Sequence, residues 1–163
     1  MLYIIAASAI SPFQEVISSV PILAVIMPII SNTSGNVAIQ AVSVTLRGLS
    51  MGEVTPLDTF KVLRKEIIAA NGTSLALGLT LGILSLIWAP VEERWISIVA
   101  AVVMIVNVFI AASLGTLLPM ILKRCNIDPA LVSGPLLTTT LDAIGFFTFL
   151  SMITIASHLH LQI

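Results

Sequence analysis

The chain has 163 residues, of which 58% are hydrophobic and only 9% charged, and its mean hydropathy is +1.12. A soluble domain carries about 25% charged residues, so composition points to an integral membrane protein. The net charge of −1 offers no footprint for nucleic acid. The single cysteine, Cys125, can form neither an intrachain disulfide nor a metal cluster.

Charge-free runs cover 16–46, 67–91 and 95–122, and 129–163 is interrupted only by Asp142. Crossing the hydrocarbon core takes about 20 apolar residues. The expected fold is therefore all-α, with four full transmembrane helices and a truncated first span. Residues 1–14 form that first segment, which is too short to cross at about 1.5 Å per residue and is closed by Pro12. No basic residue precedes it, so it is not a secretory signal.

The second span is expected from Glu15 to about Leu46, kinked at Pro21 and Pro28. In the polar stretch 47–66, Thr55 is placed to cap a helix and Pro56 to begin it. That surface helix continues into the span 67–89. A turn closed by Pro90 leads to the span 95–122, and the connector KRCNIDPA, with an inert Cys125, leads to a last span over about 130–156. Residues 158–163 are a short external tail in which His158 and His160 are solvated.

Six basic residues fall in two connections two spans apart: Arg47, Lys61, Arg64 and Lys65, then Lys123 and Arg124. Arg94 stands alone opposite them. The positive-inside rule makes 47–66 and 123–128 cytoplasmic and puts the C-terminus outside, in a multi-pass protein of the cell (inner) membrane.

Within these spans a few polar residues carry the functional signal. Asp142 has no charged residue in the thirteen before it and none after it. An acid at membrane depth faces a polar cavity, a partner or an ion path. Thr138 precedes it by one turn, Thr139 lies beside it, Pro135 can loosen the helix, and Gly145 leaves room for another helix. Hydroxyls and carbonyls around a carboxylate suit a hard cation, and one acid per chain suits a mostly hydrated Mg²⁺. In the second span Asn32, Asn36, Gln40, Ser43 and Arg47 share one helix face, as a hydrated path would require. Interhelical hydrogen bonding is the plainer use of such residues. Asn107 is read that way, Glu66 as a solvated charge, and Asp128 as a helix cap or a cytoplasmic cation ligand. Ser34-Gly35-Asn36 and Ser133-Gly134-Pro135 give a faint hint of internal symmetry.

Two strings, SGNVAIQAVSVTLRGLSMGEV (34–54) with LRKE (63–66), and NVFIAASLGTLLPMILKRCNIDPALVSGPLLTTTLDAIG (107–145), resemble the membrane domain of MgtE-type magnesium transporters. Order, spacing and loop positions agree along most of 14–157, making 15–157 the MgtE-like pore domain. The resemblance implies a homodimer of five-span subunits carrying Mg²⁺ through a channel-like pore at the dimer interface, lined by the second and fifth spans. The family's pore aspartate falls on Asp142, its carbonyl region on Thr138, its Gly-Asn motif on Gly35 and Asn36, and its glutamine on Gln40. Its connector aspartate, which binds regulatory Mg²⁺, falls on Asp128. Ala38 and Ile39 stand where the family often has a second Gly-Asn pair. The family's cytoplasmic helical domain and CBS pair have no counterpart in these residues. A fragment, a misassigned start and a stand-alone pore are the expectations, with a separate cytoplasmic Mg²⁺-sensing CBS protein as a candidate partner. The competing functions are a proton- or sodium-coupled carrier using Asp142 and a non-transporting membrane subunit. No nucleophile–base pair suggests an enzyme.

Overall fold

In the computed structural model the charge-free runs fold as helices, and no strand occurs among the described residues. Those residues are 2–131 and 134–160, with the backbone alone for 2, 3, 5, 6, 136 and 158–160. Ser133 of the suspected repeat, residues 161–163 and the side chains of His158 and His160 lie outside them. The helices are α1 (Leu2–Ile10), α2 (Gln14–Ser19), α3 (Leu23–Ser50), α4 (Thr59–Trp88), α5 (Trp95–Arg124) and α6 (Gly134–His160). Three of them are long and apolar enough to cross a membrane, over Pro56–Trp88, Trp95–Arg124 and Leu137–Ser157.

The second predicted span needs correction in two ways. It breaks at Val20, which ends α2 with φ −131° and ψ 84°, because the ring of Pro21 disfavours helical geometry at the residue before it. Pro21 thus ends a helix rather than kinking one, and only Pro28 lies inside α3. The resulting 28-residue α3 is about 42 Å long. It has the length of a span, but its polar face leaves it outside the three that qualify on composition. The last helix starts at Gly134 rather than near 130, since Pro129–Leu131 forms a separate 3-10 turn.

Helix ends follow the sequence closely. The N–H and hydroxyl of Thr55 both donate to Asp58 Oδ2, at 2.9 and 2.7 Å, and hold the turn that opens α4. Gly52 (φ 72°) and Asn126 (φ 58°) close α3 and α5 in left-handed geometry. The N–H groups of Glu53 and Ile127 then reach back to the carbonyls of Gly48 and Leu122, at 3.0 and 2.9 Å.

The bundle is built around α5, which packs against α3, α4 and α6. Between lipid-facing helices, close packing replaces the hydrophobic driving force, so small residues mark the seams. A Cβ on Gly78 would lie 2.9 Å from the Ala101 carbonyl, and one on Gly115 only 2.6 Å from the Ala38 carbonyl. Leu23, Ile26 and Ile30 of α3 meet Ile96, Val103 and Met104 of α5 and Phe149 and Ile153 of α6 in the main core. The short α1 lies along α6, and beyond it Phe13 sets its ring edge-on to Phe147, centroids 5.9 Å apart.

Two cavities identify the ends of the bundle. Arg47 and Ser50 of α3 share one with Lys123 and Asp128, and Pro21 and Val25 share another with Trp88 and Glu93 at the opposite end. Arg47 and Lys123 therefore lie at one end and the Arg94 turn at the other, as the charge pattern requires.

Candidate functional site

The two faces of α3 differ in kind. Ile26, Ile30, Ser31, Ser34, Gly35, Ala38 and Thr45 are buried, whereas Asn32, Asn36, Gln40, Ser43 and Arg47 are exposed in one stripe. On α6, Leu137 and Leu141 anchor the helix in a small apolar cluster with Ala38, Val42 and Ala111. Thr138 and Asp142 are left half-buried. Gly35 lets the helices meet there, for a Cβ on it would lie 3.3 Å from Thr138 Cγ2.

A cavity of about 430 Å³ opens between α3 and α6, lined by Pro28, Ser31, Asn32, Gly35, Asn36, Thr138, Asp142 and Phe146. Asp142 is the one carboxylate in this lining, and its Oδ1 accepts a hydrogen bond from the hydroxyl of the buried Ser31. That bond fixes one of its two oxygens. Among the described residues no three of His, Cys, Asp and Glu converge as a metal cluster would. One carboxylate among amides and hydroxyls matches an ion that keeps its water, as Mg²⁺ does.

Four residues singled out in the sequence, Asp142, Thr138, Asn36 and Gly35, thus come together, and Asn32 of the stripe joins them. Others lie elsewhere. Thr139 is buried and donates its hydroxyl to the Pro135 carbonyl at 2.8 Å. Pro135 sits in the first turn of α6, where its missing N–H disrupts nothing. Gly145 is behind the cavity, facing Asn107 Nδ2 and Ile30. The expected interhelical hydrogen bond of Asn107 is not made through Nδ2, which is buried without a partner. Ser43 turns its hydroxyl back to the Ile39 carbonyl at 2.7 Å. Gln40 lines a separate cleft with Glu66. Asp128 stands at the basic end, where its Oδ1 accepts the Ala130 N–H at 2.9 Å and caps the turn after Pro129. Ser31 and Phe146 are cavity residues that the sequence did not single out, and Pro28, read there only as a kink, also lines the cavity.

The profile of the MgtE family, described as a divalent cation transporter, matches residues 27–152, which hold both walls of this cavity. The chain belongs to the MgtE family. Proteins named magnesium transporter MgtE are similar to it along most of its length. That of Thermus thermophilus is 32% identical over 151 residues, 91% of this chain and 32% of the relative. That of Enterococcus faecalis is 30% identical over 136 residues, 83% and 30% respectively. That of Bacillus subtilis is 29% identical over 155 residues, 95% and 34%. The chain spans about a third of the length of these MgtE relatives.

Proposed function

We propose that this chain carries Mg²⁺ across the cell membrane through a channel-like pore between two copies of itself, with Asp142 as the ion-binding group. The observation that carries the reading is the Asp142 cavity: the one carboxylate of the last span sits in a polar recess that opens on the outside of a largely apolar bundle. Asn32, Asn36 and Gln40 are exposed beside or below it. Amides and a carboxylate on a lipid-facing surface are costly. A second copy related by a twofold axis would cover the stripe with its own counterpart and bring two Asp142 side chains to one water-filled passage.

A hydrated divalent ion between two carboxylates feels twice the attraction of a monovalent one at the same distance. Asn32, Asn36 and Thr138 would orient its waters, and Ser31 would hold each carboxylate in place. Three relatives named as magnesium transporters support the choice of ion, and the family description supports a divalent cation. Residues 15–157 form the pore domain in this reading, and the end bearing Arg47 and Lys123 faces the cytoplasm. The test is growth of a magnesium-dependent strain rescued by this protein. Asp142→Ala is expected to abolish rescue at normal membrane abundance, and rescue at the parental level rejects the site.

A further inference from the structure

The cleft between α3 and α4 is a further polar recess, apart from the Asp142 cavity. Because α4 packs on α5 and barely touches α3, two adjoining cavities of about 180 and 230 Å³ remain between them. Both are lined by Val44 and Glu66. The inner one adds Gln40 and Thr73, and the outer one adds Thr45, Glu53, Asp58, Lys61 and Lys65.

Two observations mark the cleft as a site for a ligand. Glu66 is half-buried where the charge-free run of α4 begins and lines both cavities. Thr45, only 1% exposed, lines the outer cavity, and its buried hydroxyl has no hydrogen-bond partner in the protein. A buried hydroxyl left unpaired is costly, and Thr45 lacks the bond to its own helix backbone that Ser34 makes to the Ile30 carbonyl at 2.8 Å. A ligand that brings its own hydrogen-bonding shell resolves that deficit.

We propose that this cleft is a second station for a hydrated divalent cation, held by Glu66 and Gln40 over the Thr45 hydroxyl. The proposal rests on the divalent-cation reading above. Carboxylate, amide and hydroxyl oxygens are hard-cation chemistry. Glu53, Asp58 and Glu66 do not converge as a three-ligand cluster, so the ion is held through its waters. Gln40 lies nine residues beyond Ser31, about 13 Å along α3 toward the basic end, which places the station between the Asp142 cavity and the water on that side. Lys61 and Lys65 at the mouth oppose the cation, and three carboxylates against two ammonium groups leave the lining net negative.

The experiment is Mn²⁺ titration of the purified full chain, read by electron paramagnetic resonance, with Mn²⁺ alone as the probe. Asp142→Asn is expected to keep the cleft ion and lose the pore ion, and Glu66→Gln to do the reverse. The two readings therefore fail separately. Unchanged binding in Asp142→Asn rejects the pore site, and unchanged binding in Glu66→Gln overturns the cleft site. Lys65→Met, which removes an opposing charge, is expected to tighten the cleft ion, whereas a purely structural Glu66 predicts no change. Thr45→Val keeps the side-chain shape and guards against a folding artefact. Loss of one hydrogen bond predicts roughly 2- to 10-fold weaker cleft binding, and unaltered affinity overturns the assignment.

Discussion

Ser31 shows how one hydroxyl can set the behaviour of a charge in a membrane helix. Its hydrogen bond to Asp142 Oδ1 ties α3 to α6 in the lining of the cavity. A hydrogen bond to a charged group contributes about 1.5–3 kcal/mol, and solvent in the open cavity lowers that. Ser31→Ala is expected to raise the Mg²⁺ concentration for half-maximal uptake roughly 10-fold, with membrane abundance unchanged. An unaltered uptake curve means the hydroxyl does not position the carboxylate. Asp142, Asn36 and Thr138 were legible in the sequence because polar side chains interrupt apolar runs there. Ser31 was not, because serines in these helices commonly bond their own backbone, as Ser34 and Ser43 do, and nothing in the string SNTS separates one kind from the other.

Helix seams depend on which glycines face a neighbour. A Cβ at Gly115 would lie 2.6 Å from the Ala38 carbonyl and 2.8 Å from Ala41 Cβ. Neither contact is a flexible side-chain end, so Gly115→Ala must push α3 and α5 apart, at a cost of about 1–3 kcal/mol. Gly72 is exposed with nothing within 4 Å of the added carbon, and Gly72→Ala should stabilise α4 by about 0.5–1 kcal/mol. Thermal unfolding in detergent should therefore move in opposite directions for the two variants, and equal shifts contradict the seam. The helices themselves were legible from hydropathy, and the helix limits from Thr55 and the break at Pro90, whereas the left-handed ends at Gly52 and Asn126 were not singled out. The partner of each face was not, since glycines spaced four apart look alike whichever helix they meet. The break at Val20 was misread as a kink because two prolines shared one charge-free run, and composition does not say which one has a helix on both sides.

Across the whole molecule, polar and apolar surface are unevenly distributed. The stripe from Asn32 to Arg47 lies on the outside of the bundle, whereas α4 presents Leu75, Leu79 and Ile83 to its surroundings. If a second copy covers the stripe, Asn36→Cys in a Cys125→Ser background should cross-link to dimer in membranes. Leu79→Cys in the same background should stay monomeric, and the reverse pattern contradicts the twofold arrangement. The basic end was legible from charge alone, because Arg47 and Lys123 terminate parallel helices around one cavity. The span count was not, because the polar face of α3 lowers its hydropathy.

Flux into liposomes under an imposed potential tests the central claim most directly, with entrapped dye reporting Mg²⁺ and no gradient of protons or sodium. An inside-negative potential favours entry by about 2.3 kcal/mol per charge per 100 mV. The account predicts potential-driven Mg²⁺ entry in the wild type and none in Asp142→Asn. Entry that needs a proton or sodium gradient, or that persists in Asp142→Asn, contradicts it.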